Sequence, residues 1–226
     1  MVRSYSVKIA RSIVLAGLAL SIVCLLAVAL ALGCGRTEEV SPKAAGHYQR
    51  GRTHYARGEF KEAEGEFKAA ISSSPRFANS YYMLGKVYFF ERRLAEAEAQ
   101  FKKALVESRP GHLGGYLWLG RIYSLQRGKT EEAKRMLQAA LDLDPENSLI
   151  YYDLGKLYEL EGDLRGALLQ YERAMALETD YAALHYRVGE LYEKIGLADR
   201  AKREYEKAIA FDPGFAEAKK KLKGSQ

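Results

Sequence analysis

The chain has 226 residues, 48% of them hydrophobic and 11% aromatic, with a formal net charge of +6. Of its 35 basic and 29 acidic residues, three basic ones fall before residue 12, and four basic and one acidic after residue 215, leaving 28 of each between. The excess therefore sits at the two ends, which excludes a nucleic-acid-binding body with its basic face and clear positive charge.

Met1 to Ser12 carries Arg3, Lys8 and Arg11 and no acid, and residues 13–32 are then apolar except for small Gly17 and Ser21. Such a run is an export signal or a membrane span, not part of the fold. Its positive flank stays in the cytoplasm, so the rest of the chain is expected beyond the membrane. Ala31-Leu32-Gly33-Cys34 resembles the lipobox of bacterial lipoprotein signals. That resemblance implies cleavage before Cys34 and a diacylglycerol on its sulfur. Ala31 stands where the family has Leu, and the apolar run exceeds the roughly 7–15 residues of an ordinary signal. An uncleaved anchor helix therefore stays open beside lipidation. Cys24, the other cysteine, follows Val23, too large for the same cut. Residues 1–33 read as signal peptide or anchor, and 34–43 as the acceptor cysteine with a polar spacer. Both readings tether the chain to a bacterial envelope membrane with its body on the extracytoplasmic side.

From residue 44 the chain repeats. Aligned glycines are Gly51, Gly85, Gly120, Gly155 and Gly189, at intervals of 34, 35, 35 and 34. Two alanine columns come next, Ala63, Ala97, Ala133, Ala167 and Ala201, then Ala70, Ala104, Ala140, Ala174 and Ala208. Between them stands a bulky residue: Phe67, Phe101, Leu137, Tyr171 and Tyr205. Small residues let two helices approach where they cross, and the bulky one is expected to fill space against the neighbouring unit. Pro75, Pro145 and Pro213 end three units and Pro110 a fourth, one residue late, with Thr179 in the remaining place; proline cannot continue a helix.

These columns resemble the tetratricopeptide repeat, a helix-turn-helix unit. The resemblance implies an all-α, right-handed superhelical solenoid of five units: 44–77, 78–112, 113–147, 148–181 and 182–215. Arg50 and His54 make the first a wetter terminal repeat, and the third holds one extra residue near Gly128, placed in its inter-helix turn. The expected turn of the fourth is Gly162-Asp163. Phe215, Ala218 and Leu222 fall at helical spacing, so 216–226 reads as a capping helix with a basic tail.

Helical spacing divides each first helix. Tyr81, Leu84 and Tyr88, like Tyr151, Leu154 and Tyr158, are assigned to packing. The other stripe holds three columns: Tyr48, Tyr82, Leu117, Tyr152 and Tyr186; Arg52, Lys86, Arg121, Lys156 and Glu190; and Ala56, Phe90, Leu125, Leu160 and Lys194. In tetratricopeptide domains this stripe lines the concave groove, so the resemblance implies a tyrosine row beside a basic row. Arg52, Lys86, Arg121 and Lys156 are expected to receive acidic side chains of a protein partner, and the tyrosines, Phe89 and Phe90 its apolar ones. No Asn follows the repeat glycine, so the family's clamp for C-terminal carboxylates is not expected.

Catalytic constellations are absent from the sequence: there is no CxxC, no HExxH and no histidine pair at ligand spacing. No enzyme activity, metal or cofactor is expected. His47 and His185 occupy a tyrosine column, and Gly111, Gly114 and Gly115 read as a loop before a helix. Glu62, Glu64, Glu96 and Glu98 read as solvated or in i,i+4 pairs. The expected function is a membrane-tethered scaffold that binds a peptide segment or partner helix in its groove. The alternative is a structural spacer or self-assembling subunit whose groove takes a neighbouring copy.

Overall fold

A computed structural model describes residues 40–108, 111–177 and 182–224; the signal or anchor, Cys24, Cys34, Pro110 and Thr179 lie outside the described residues. Among those described there are eleven helices and no strand. They are α1 Pro42–Ala56, α2 Phe60–Ser73, α3 Ala78–Phe90, α4 Leu94–Glu107, α5 Leu113–Ser124, α6 Thr130–Leu143, α7 Ser148–Glu161, α8 Leu164–Leu177, α9 Ala182–Lys194, α10 Ala198–Phe211 and α11 Ala216–Gly224.

Local chemistry sets the boundaries. The Ser41 hydroxyl accepts from Ala44 N–H at 3.2 Å and Pro42 opens α1, an N-cap followed by a residue whose missing donor costs nothing there. Ser41 to Lys43, expected in the spacer, therefore belong to the first helix and its cap. Four first helices end alike: the amides of Glu59, Arg93, Asp163 and Leu197 reach back to the carbonyls of His54, Tyr88, Tyr158 and Tyr192 at 2.8–3.0 Å. That closure needs a left-handed residue just before it. Gly58, Gly162 and Gly196 supply it, and in the second repeat Arg92 does so at φ 64°. The third repeat's extra residue lengthens its turn to 125–129, with Gly128 in the left-handed region.

Each first helix crosses its own second helix at the glycine column. A Cβ on Gly51, Gly85 or Gly120 would stand 2.7–2.8 Å from Phe67, Phe101 or Leu137, and one on Gly155 or Gly189 would meet Tyr171 or Tyr205. This corrects the expectation for the bulky column: its side chains close the crossing within their own repeat, because the missing Cβ leaves a socket for them. Phe101 also reaches the next repeat, its ring stacked on Trp118 with centroids 5.9 Å apart. Both alanine columns are buried from end to end. Each enclosed Phe or Leu contributes about 1.5–3 kcal/mol.

Successive repeats are tied at their edges. Tyr81 donates to the Pro75 carbonyl at 2.8 Å and Tyr151 to that of Pro145 at 3.0 Å. Gly114 and Gly115, read as loop, lie in the first turn of α5. His112 caps that turn, accepting from Gly115 N–H at 3.1 Å, and a Cβ on Gly115 would strike Leu105 of α4 at 2.9 Å. They are small because α5 begins hard against the second repeat. At the far end α11 lies on α10, with Ala218 buried and Phe215 and Leu222 packed beside it. Besides chain neighbours, the first helices α1 and α3, and α5 and α7, touch one another. Phe89 with Trp118 joins α3 to α5 and Glu159 with Arg187 joins α7 to α9, so the first helices line one wall.

Candidate functional site

That wall is built by pairs of residues from adjacent repeats. The residue four after one repeat's glycine meets the residue two before the next repeat's glycine. Phe89 and Trp118 meet edge to face with centroids 4.7 Å apart. At the next junction these positions hold Ser124 and Asp153, which line one recess, and at the one after it Glu159 accepts from Arg187 Nε at 2.8 Å. The last is Glu193, which pairs with Lys221 of α11 at 2.6 Å. The floor therefore changes from aromatic to ionic along the chain.

At its amino-terminal half the floor is an aromatic cluster. Phe90 stacks on Phe60 at 6.0 Å and lies edge-on to Tyr55 and Trp118. Lys86 Nζ sits among three rings, 4.9 Å from Tyr55, 5.8 Å from Tyr82 and 5.9 Å from Trp118, a cation–π setting. Burial, with the nearby Arg121 charge, pushes the Lys86 ammonium below its ordinary pKa.

The sequence-derived site residues divide accordingly. Arg52, Lys86 and Lys156 have no ion-pair partner among the described residues, and each lies near a tyrosine ring, Tyr48, Tyr55 and Tyr152 respectively. Arg121 does not share their freedom: its Nε donates to Asp153 Oδ2 at 2.6 Å, and the Asp153 side chain is 6% exposed. Burial raises the Asp153 carboxyl, against the pull of Arg121 and Lys156. Leu117 is 8% exposed and belongs to the core, while its neighbour Trp118 meets Phe89 on the wall. Tyr186 and Glu190 are committed internally. Tyr186 donates to Glu190 at 3.2 Å and packs on Phe215, and Glu190 also holds Arg187. In the third column Phe90, Leu125 and Leu160 are 50%, 64% and 68% exposed, an apolar row beside the cations.

Sequence reasoning missed Trp118, Asp153 and Arg187, which share no residue type down their column. It also missed two histidine–carboxylate ties. His47 Nδ1 lies 2.7 Å from Glu66 and His185 Nδ1 2.7 Å from Glu204, both 19 residues apart. A signal was present, since Glu stands at that second position only where His replaces Tyr at the first. Glu64 and Glu98 do form i,i+4 pairs, with Lys68 and Lys102.

No helix among the described residues is long and apolar enough to cross a membrane, and no group of His, Cys, Asp or Glu among them is disposed to hold a metal. Residues 48–112 and 182–215 match families described as tetratricopeptide repeat, and residues 120–162 one described as TPR repeat. No curated protein matches the sequence. Among solved structures, TTC0263, a thermophilic TPR protein of Thermus thermophilus, is 24% identical over 80% of this chain and 98% of its own, with TM-score 0.65. YrrB, described as a TPR protein with an unusual peptide-binding site, is 22% identical over 78% of this chain and 90% of its own, with TM-score 0.60. PilF of Pseudomonas aeruginosa is 19% identical over 81% of this chain and 88% of its own, with TM-score 0.69. The glycine crossings, the shared turn closure and these matched stretches together make the chain an all-α tetratricopeptide-repeat superhelix, a protein-interaction fold.

Proposed function

We propose that this chain is a membrane-tethered scaffold of the bacterial envelope, which holds an acidic, partly apolar segment of a partner protein against its first helices and so serves the assembly or regulation of an envelope complex. The observation that carries the groove reading is the exposed row Phe90, Leu125 and Leu160 beside Arg52, Lys86 and Lys156, three cations without a carboxylate partner among the described residues. A ligand that supplies both carboxylates and aliphatic side chains satisfies both rows at once. YrrB, with its peptide-binding site, offers a precedent on a similar fold. The tether rests on the apolar run and the Cys34 motif of the sequence.

The test is a photo-crosslinking residue in place of Leu160, in cells that make the full chain, with the same residue in place of exposed Arg135 as a comparison. The expected result is a partner adduct from position 160 only, lost when Arg52→Glu and Lys156→Glu are introduced together. Arg121 is a poor choice for charge reversal, because a carboxylate there would face buried Asp153. An adduct of twice the chain's mass means that the groove holds a neighbouring copy. Identical adducts from both positions, or adducts indifferent to the double reversal, refute the groove.

A further inference from the structure

Resting on that reading of the groove, we infer that the recess between α5 and α7 is a pocket for one glutamate side chain of the bound segment, with Arg121 as its receptor. The junction pair here is Ser124 and Asp153, smaller than Phe89 with Trp118 or Glu159 with Arg187. The missing bulk leaves a cavity of about 130 Å³ lined by Phe89, Gly120, Arg121, Leu125, Asp153 and Lys156, among others. Gly120 contributes no side chain, and the Ser124 hydroxyl turns away to donate to the Arg121 carbonyl at 2.8 Å.

The charges in the recess select what enters. Arg121 and Lys156 outnumber Asp153, so an incoming carboxylate meets net positive charge. Asp153 holds only the Nε edge of Arg121, and no other carboxylate among the described residues pairs with that guanidinium. Its two Nη groups therefore remain for a second acceptor, and the planar fork suits a carboxylate. Trp118 lies 5.0 Å from the guanidinium carbon and supports the fork from its face. Phe89 and Leu125 line the approach, which favours glutamate, whose two methylenes span apolar walls, over aspartate. A lysine or arginine of the segment would meet Lys156 and a guanidinium already placed, and is rejected.

A random dodecapeptide display library panned on the full chain in detergent micelles supplies the probes. Peptides whose capture is lost in Arg52→Glu/Leu160→Glu are groove ligands, and each is resynthesised with every Glu changed singly to Gln. One Glu→Gln change is expected to weaken binding to the wild type at least tenfold, in line with a hydrogen-bonded charge. The same change should cost less than threefold in Arg121→Gln/Asp153→Asn, which removes both charges and keeps a hydrogen-bonding pair. Lys156→Gln, which leaves the buried pair intact, should weaken the Glu peptide and not its Gln twin; it decides the matter if the double variant unfolds. Groove ligands without an essential Glu, or a Glu effect that survives in the variants, overturn the glutamate pocket and leave the groove standing. A library that yields no groove-dependent peptide overturns both.

Discussion

One substitution should have opposite consequences at two glycines of this chain. Gly65 lies exposed on α2, and a Cβ there would meet no atom within 4 Å. Gly65→Ala therefore gains helix propensity alone, about 0.8–1.0 kcal/mol. Gly85 lies in α3, and its added Cβ would stand 2.8, 2.9 and 3.0 Å from three edge carbons of Phe101. That ring is enclosed, tilted against Tyr82 and stacked on Trp118, so it cannot swing aside as a long flexible chain would. Overpacking of this kind costs about 1–3 kcal/mol. The propensity gain is common to both sites, so the difference between the variants isolates the crossing. In a body of this size it corresponds to a gap of roughly 2–12 °C in melting temperature. Thermal scans by circular dichroism measure it, with Gly85→Ala melting below the wild type and Gly65→Ala above it. Phe101→Leu added to Gly85→Ala should recover part of the loss. If Gly85→Ala stabilised as much as Gly65→Ala, the socket account of the glycine column would be wrong.

Two further substitutions probe stability elsewhere. Arg92 holds the left-handed turn position at φ 64° that glycine fills in the other repeats; a side chain there costs about 1–2 kcal/mol, partly offset by the entropy glycine adds to the unfolded chain. Arg92→Gly should therefore raise stability by about 0.5–1 kcal/mol, readable as a higher urea midpoint. Burial would raise the Glu64 carboxyl, but hydrogen bonds from Lys68, Arg93 and Tyr88 override it and hold it at about 2. Because this pKa is depressed by folding, its stabilisation is full above the unfolded value near 4.5 and is lost as pH falls toward 2. Glu64→Gln should cost about 1–3 kcal/mol near pH 7, discounted for the exposure of Lys68, with most of that loss gone near pH 2 and the rest below it; a loss that stayed constant down to pH 2 would remove the charge from the account.

What could be read from the sequence were the demands each repeat makes on itself. A crossing needs a small residue at the same point every time, so Gly85 and Gly155 announce themselves, as do Ala97 and Ala167. Proline after a second helix does the same. The floor of the inner wall was hidden because its units are pairs drawn from neighbouring repeats. Phe89 with Trp118, and Glu159 with Arg187, obey one geometric rule and no common chemistry, so neither column shows a type. Arg121 was expected to be free for a partner, but Asp153, which engages it, lies 32 residues on, in a column whose other members are Gln49, Met83, Trp118 and Arg187. Leu117 was misplaced for a related reason. In the third repeat leucine stands where the other repeats have tyrosine and is buried, while Trp118 beside it lies on the wall.

The same rule explains why the wall is not uniform. Aromatic pairs at every junction would extend the Phe89–Trp118 cluster along the whole superhelix and join it to Leu125 and Leu160. A contiguous apolar trough of that length invites association with any exposed apolar surface. Ion pairs at the last junctions break it. Arg187 and Lys194 against Glu159 and Glu190 fill the space with charges that neutralise one another, and Lys221 does so against Glu193. Pairs of this kind add little net stability over apolar packing, so their effect on the wall is to bound its apolar stretch. The large aromatic rings are thereby concentrated toward the amino-terminal end. On the proposed reading, a bound segment would meet aromatic rings at that end, the Arg121 recess in the middle and internally paired charges beyond it.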